Sequence, residues 1–333
     1  MVWRQAIALA MALTLEQLLA SPDHYLYAFE DDEAIFVAMD RAGYRRSIFL
    51  DHRISLAAEG SVRLPLAELI EKLPFAQPTG WIFHVAHCGS TLLARALEAL
   101  GETLVLREPL AMRQLGLAPD PARLKLAMAL LARRYLEGSA TLIKANVPVN
   151  FILGEIAAAD ETARTLFLYC QLEDYLLAIL RSANHRAWLR RVTGQLAGHF
   201  EEHAQLSDGE LGAALWLAQM RRFAGAIERM PNASSLDAER FFAEPAEVLV
   251  AAAKHFLIPT SAAAIEAVVG GPLFRTYSKN PTVEFDNAAR VARQQALKGV
   301  LAGEIAMAQR WLAGAAPDIS AVMDRITGAA LIG

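Results

Sequence analysis

Cysteine is scarce in this chain, with two among 333 residues, Cys88 and Cys170. A disulfide scaffold is thereby excluded, and a reducing compartment is the default. Charge of one sign is lacking too: 32 Lys and Arg stand against 36 Asp and Glu, a net charge of −4. No strongly basic face is implied, which weighs against nucleic acid as a bulk partner. The basic-aromatic run His185–Arg191 does not change that, because on a helix its residues point to several faces. Long hydrophobic runs are missing as well. The apolar opening from Ala6 to Leu15 is broken by Glu16 and Gln17, with no small-x-small cleavage site behind it. It predicts an amphipathic helix ending before Ser21-Pro22 rather than a secretory leader. No other run is long enough to span a bilayer, and the expected location is cytoplasmic.

What is abundant is apolar residue, 54% of the chain. The length suits one large domain or two small ones. Residues 24–56 hold three short β-rich runs, Tyr25–Phe29, Ala34–Ala38 and Ser47–Leu50, separated by Asp31-Asp32 and Ala42-Gly43. They predict a small antiparallel meander. A short helix over Pro65–Lys72 and a Pro-containing linker, Pro74–Pro78, come next. From Gly80 on, strands alternate with helices. The candidate strands are short, mostly apolar runs: Trp81–Val85, Thr103–Leu106, Ala140–Ile143, Thr165–Tyr169 and Ala233–Leu236. Helices are expected over Ser90–Leu100, Arg123–Leu136, Asn150–Ala158, Asp174–Ser182, His185–Leu196, Gly209–Arg229 and Ala246–Phe256, with a mostly helical tail from Asp286. Alternation of this kind means an α/β fold: a three-layer parallel sheet with helices on both faces. The expected division is 1–78 for the N-terminal helix and meander and 79–333 for the α/β part.

The stretch Gly80–Leu100 reads as a buried strand, a tight polar turn and an amphipathic helix. The turn, His87-Cys88-Gly89-Ser90-Thr91, sits where strand hands over to helix. Gly89 permits close backbone approach, the first helical N–H groups lack intrahelical partners, and the helix dipole favours negative charge. Ser90 and Thr91 add hydroxyl donors. The turn therefore suits a phosphate. It is not a Walker A loop, since no Lys precedes Ser90. Cys88, at a helix N-terminus, is expected to have a lowered pKa. Glu108, in Leu106-Arg107-Glu108-Pro109, and Lys144, in Thr141–Val149, each fall just after a strand. Ligands of parallel sheets bind at that C-terminal edge. Pro109 should hold Glu108 extended, and so aim it into the cleft. The bland alternative for Glu108 is a surface pair with Arg107 or Arg113. His84 reads as a core residue or one that supports the site.

The run His87-Cys88-Gly89-Ser90-Thr91-Leu92-Leu93 resembles the 5′-phosphosulfate loop of sulfotransferases, [KR]-[ST]-G-[ST]-[ST] before an apolar helix, with His87 in the basic position. Lys144-Ala145-Asn146-Val147-Pro148 resembles the family's K-T-H-L-P segment. Ser235–Leu249 resembles its V-R-Y-E-D-L-x-x-D-P-x-x-V-L segment. The resemblance spans about Gly80 to Pro259. It implies a P-loop α/β enzyme that moves a sulfuryl group from 3′-phosphoadenosine 5′-phosphosulfate (PAPS) to an acceptor hydroxyl, without a metal. The acceptor would be a small molecule, sugar, lipid or peptide. Cys88, Gly89, Ser90 and Thr91 would hold the 5′ side, and Lys144 and His87 would stabilise the leaving phosphate. The family's His base is Asn146 here, so the base falls to Glu108, which other sulfotransferases place at a comparable point.

The chain departs from the pattern at the 3′-phosphate. The expected Arg and Ser are Cys170 and Ala178. Arg181, Ser182, His185 and Arg186 follow closely and are candidates to replace them. The family's C-terminal basic loop is also missing, and Arg275, Ser278 and Lys279 occupy a roughly equivalent place. Two other readings stand: a Mg²⁺-dependent nucleotide phosphotransferase on the same scaffold, and a non-catalytic phosphate- or nucleotide-binding protein.

Overall fold

The computed structural model describes residues 14–73, 77–200 and 205–333. Most of the expected opening helix, and part of the Pro74–Pro78 linker, lie outside the described residues. What is described of that helix is Leu15–Ala20 (α1), started by a Thr14–Gln17 capping box.

Three antiparallel strands follow in the order β1-β2-β3: His24–Glu30 (β1), Glu33–Ala38 (β2) and Ser61–Pro65 (β3). Two of them match the expected runs; the third does not. Ala42-Gly43 lies inside a helix, Arg41–Arg46 (α2), capped by Asp40. Ser47–Leu50 forms no strand of this sheet. Its backbone runs to the other sheet instead, where Leu50 N donates to Arg107 O at 2.7 Å and Leu110 N donates to Leu50 O at 3.1 Å. A short helix, Leu66–Glu71 (α3), closes the segment.

The main sheet has five strands, all parallel, in the order β5-β6-β4-β7-β8. They are Gly80–His84 (β4), Leu104–Arg107 (β5), Thr141–Lys144 (β6), Arg164–Tyr169 (β7) and Ala233–Asp237 (β8). Each lies within one residue of its expected boundaries. Helices cover both faces, so the strands need no polar face, and β4, β5 and β6 are buried throughout. The covering helices include Ser90–Ala99 (α4), Leu110–Leu117 (α5), Pro121–Leu131 (α6), Leu153–Ala159 (α7), Leu172–Ile179 (α8), Ala183–Gln195 (α9) and Asp208–Ile227 (α10). Helix α5 had no counterpart in the sequence pattern. The expected helix from Asn150 begins instead as a 3₁₀ segment, Val147–Ile152. Gly116 of α5 lies against it: a Cβ there would stand 2.6 Å from the Pro148 carbonyl carbon. That close approach holds the ends of β5 and β6 together.

After β8 come Ala238–Ala243 (α11), Pro245–His255 (α12) and Ala262–Val269 (α13). A two-stranded hairpin, Thr276–Tyr277 (β9) and Asn280–Glu284 (β10), leads into the long helix Asn287–Ala315 (α14) and then Ile319–Gly328 (α15). Helix α10 packs against α14 and α15. No helix among the described residues is long and apolar enough to cross a membrane.

One buried cation ties the end of β5 to α4 and to the C-terminal end of α2. Arg107 ends β5, and its guanidinium donates to Glu98 of α4 at 2.7 Å and to Ser47 O at 2.6 Å, with Tyr44 O a further acceptor. Both charged side chains are buried. Arg107→Met is expected to lower stability by about 3–5 kcal/mol, because Glu98 is left buried without its partner. A urea midpoint measures this, and Arg107→Met with Glu98→Leu should recover much of the loss.

Candidate active site

The C-terminal edge of the sheet collects the chemistry. Strand β4 ends at His84, and Ala86, His87 and Gly89 then take left-handed backbone, with φ of 72°, 53° and 81°. Two of these are not glycine, so the turn holds strain that the surrounding fold must sustain. Such backbone turns the N–H groups of successive residues toward one concave side, an arrangement that receives anions. Helix α4 then starts at Ser90 with no side chain capping its N-terminus, and Thr91 Oγ1 is buried without a hydrogen-bond partner. An uncapped helix start, strained backbone and an orphaned hydroxyl are what a bound oxyanion would satisfy. The ring of Phe242 lies on Gly89: a Cβ there would come within 2.7 Å of it.

Lys144, the last residue of β6, is wholly buried, and its Nζ lies 2.5 Å from Glu108 Oε1 and 3.0 Å from His84 Nε2. The parallel register pairs Arg107 with Lys144, and Glu108 N donates to Lys144 O at 2.7 Å. Glu108 therefore emerges beside Lys144 as a consequence of strand pairing. It is not extended, as the following Pro109 led one to expect; its φ is +56°. The last bond of the parallel ladder outweighs the local preference. Neither expected surface pairing of Glu108 forms, since Arg107 is bonded to Glu98 and Arg113 to Gln195. Glu108 Oε2 has no partner among the described residues.

His84 stands behind this pair. Its Nδ1 lies 3.0 Å from Ala86 N, and its Nε2 lies 3.0 Å from Lys144 Nζ. Burial, then the Lys144 charge, holds its pKa well below the usual histidine value. His87 is half-buried in the turn, with its ring centroid 4.7 Å from that of His185 and 5.3 Å from that of Trp188. Burial and the charges of Lys279, His185, Arg181 and Lys144 keep it neutral in the free protein. The expected lowering of the Cys88 pKa does not occur. Burial raises it and outweighs the helix N-terminus, and the thiol sits 3.9 Å from Leu168 O.

Beside the turn lies a cavity of about 70 Å³, lined among others by His87, Cys88, Cys170, Ala178, Arg181, Phe242, Arg290 and Arg293. Arg181 approaches His185 Nε2 at 2.7 Å, and Ser182 Oγ lies 2.6 Å from His185 Nδ1. Arg186 is committed elsewhere, to Glu304 and Asp208. Of the hairpin residues, Lys279 reaches the site: its ammonium is crowded by protein while solvent still reaches the side chain, and it acts on Glu108, Lys144 and Cys88. Ser278 faces Arg95 through its carbonyl. Arg275 is exposed and does not line the cavity. Three contributors escaped the sequence reading. Arg290 lies 4.2 Å over the Phe242 ring and binds both Glu239 oxygens at 2.7 Å. Arg293 donates to the Tyr277 hydroxyl. Phe49 has Lys144 and Lys279 at 5.6 and 5.7 Å from its ring centre. Arg290 and Arg293, three apart at the start of a helix, carried a faint signal; Phe49 carried none. Among the described residues, no group of three or more His, Cys, Asp or Glu is placed to hold a metal ion.

No family model matches the chain, and no curated protein does. Among solved structures, 63% of the chain overlays 84% of the sulfotransferase domain from the curacin biosynthetic pathway, at 10% identity and a TM-score of 0.41. A sulfotransferase from Alicyclobacillus acidocaldarius is overlaid over 95% of its length by 71% of this chain, at 14% identity and a TM-score of 0.38. Both likenesses are distant, and the chemistry has to be read from this chain's own residues.

Two outcomes follow for the turn. Gly89→Ala forces a left-handed alanine against Phe242, and should lower stability by about 1–3 kcal/mol and weaken pyrophosphate binding, measured by calorimetry, at least about tenfold. Protonation works in a definite direction. His84, His87 and His185 have depressed pKa values, His185 at about 4. The unfolded chain then binds more protons, so the stability of the free protein should fall as pH drops below about 6.5. An anion on the turn offsets the cations around His87 and raises its pKa. Pyrophosphate should therefore bind tighter as pH falls from about 7 to 5.5, and His87→Asn should flatten that dependence.

Proposed function

We propose that this chain is a sulfotransferase that takes its sulfuryl group from PAPS. The observation that carries the reading is the pair formed by buried Lys144 and half-buried Glu108, 2.5 Å apart, beside an uncapped helix start with an orphaned hydroxyl. When bound, PAPS supplies an activated sulfuryl group, whose bond to the 5′-phosphate oxygen breaks as a bond to the acceptor oxygen forms. The N–H groups from Gly89 to Thr91, with the hydroxyls of Ser90 and Thr91, would hold the phosphate that departs. Lys144 would offset the charge that grows on its oxygen, and a fixed ammonium in a water-poor setting does this well. Glu108 keeps Oε2 free to take the proton from the acceptor hydroxyl. Asn146, in the position of the family's base, cannot take up a proton near neutral pH. His87, neutral in the free protein, would gain charge as the anion arrives.

The residues fit the 5′ end of such a donor better than its other end. Cys170 and Ala178 line the cavity without charge, while Arg181 and Arg293 line it with charge. A cavity of about 70 Å³ is well short of the several hundred Å³ typical of a ligand pocket.

Release of 3′-phosphoadenosine 5′-phosphate (PAP) from PAPS, with a panel of hydroxyl acceptors, tests the proposal. Lys144→Ala and Glu108→Gln should each lower kcat by about 10²–10⁴, with PAP affinity changed much less by Glu108→Gln. Failure of the wild-type protein to bind PAP would overturn it, as would nucleotide binding that requires Mg²⁺.

A further inference from the structure

The opposite edge of the main sheet, where its strands begin, is hollow. A cavity of about 340 Å³ lies around the starts of β4, β6, β7 and β8, with Gly80, Thr141, Arg164, Asn232 and Arg134 in its wall. A second cavity of about 340 Å³ lies between the start of β4 and helices α6 and α7, walled by Trp81, Lys125, Met128 and Ala159. Pro78, Thr79, Asp160 and Thr162 belong to both walls, so the two adjoin as lobes of one cleft. Each lobe is of a size that ligand pockets have. Neither shares a lining residue with the cavity beside the turn.

Each lobe holds a buried donor that the protein leaves unsatisfied. Trp81 is 1% exposed, and its Nε1 is buried without a hydrogen-bond partner. Its ring is stacked on Phe83 with centroids 5.5 Å apart, which fixes the indole. In the other lobe Arg134 is held by two carbonyls, Pro78 O at 2.9 Å and Ser139 O at 3.1 Å, and its Nε is likewise buried without a partner. Buried donors left unpaired are costly, and each calls for an acceptor. Cations also outnumber acids here. Arg164 donates to His255 O at 3.0 Å, and neither it nor Arg134 has a carboxylate partner among the described residues. Lys125, exposed at the first lobe, has no ion pair among them either. Asp160 is the one acid of the described lining, and its Oδ1 already accepts from Thr162 N at 3.1 Å and Thr162 Oγ1 at 2.8 Å.

We propose that this cleft is a second ligand site, and that it takes a small organic anion. The oxyanion, a carboxylate or a phosphate, meets Arg134 Nε and the Arg164 guanidinium in one lobe, where charge-assisted bonds are the strong ones. The body of the ligand enters the other lobe, lies against Pro78, Met128 and Ala159, and offers an acceptor atom to the Trp81 N–H. The site stands apart from the catalytic edge of the sheet, and it does not depend on the sulfotransferase reading.

The test titrates the full-length protein by calorimetry with paired probes: 4-acetylbenzoate against 4-acetylbenzamide, and 4-acetylphenyl phosphate against 4-acetylphenol. At least one anion should bind about tenfold or more tighter than its neutral counterpart, and the pair that shows it tells carboxylate from phosphate. Arg134→Gln and Arg164→Gln should each remove the preference. Trp81→Phe keeps the ring and drops the donor. It should leave the urea midpoint of the free protein unchanged or higher, because an unpaired buried group is gone, and yet weaken the anion about threefold or more. Gly89→Ala, at the other edge of the sheet, should leave the anion's affinity within about twofold. Equal binding of anionic and neutral partners, binding of no probe, or a preference that survives both arginine variants would overturn the proposal. So would a preference that Gly89→Ala abolishes, which would place the anion on the turn, or an affinity that Trp81→Phe leaves unchanged.

Discussion

A lysine with no exposed surface sets the terms for this fold. Lys144 ends a central strand and is closed in on all sides, and an ammonium there is tolerable only with a partner at contact distance. Glu108 is that partner, and several otherwise separate features serve to deliver it. The β5–β6 register brings the two residues level, the Glu108–Lys144 backbone bond extends the ladder by one step, and Glu108 accepts a left-handed φ to turn back toward the ammonium. Gly116 lets α5 come down on the segment after Lys144, so neither strand end can drift. His84 completes the group from the middle strand, between the Ala86 N–H and the Lys144 ammonium.

The same edge of the sheet carries a surplus of positive charge in an acidic protein. Lys279 comes from the hairpin, Arg181 from the end of β7's helix and Arg53 from the N-terminal strap, and each acts on Lys144, Glu108 or the turn between them. Like charges gathered this closely oppose one another, and, after burial, they help to keep the histidines among them neutral. Arriving anions relieve that opposition. The free protein is thus more strained at this edge than anywhere else described, with left-handed backbone at Ala86, His87 and Glu108 within one small region.

The N-terminal segment is part of this arrangement. The Ser47–Leu50 run looked like a third strand because it is apolar and short, and β-rich runs of that kind usually pair with their neighbours in sequence. It is diverted by Arg107, whose guanidinium gathers the carbonyls of Tyr44 and Ser47, and Val62 and Leu64 of β3 take its place beside β2. Phe49 reaches the charged cluster through that diversion. A pattern of apolar residues says that a side chain is buried; it does not say against what.

The five parallel strands, the turn at Gly89 and the placing of Glu108 and Lys144 at strand ends were legible in the residues themselves. Each depends on short-range regularities: mostly apolar runs of four to six residues, a glycine followed by two hydroxyl residues, and chain direction in alternating elements. Which charges meet was decided by tertiary structure alone. Lys144 with Glu108, Arg107 with Glu98, Phe49 among three cations, and a cysteine thiol raised rather than lowered all arise from residues far apart in sequence. Coulomb energy and desolvation follow distance and burial in space, and one strand order among many possible ones sets both.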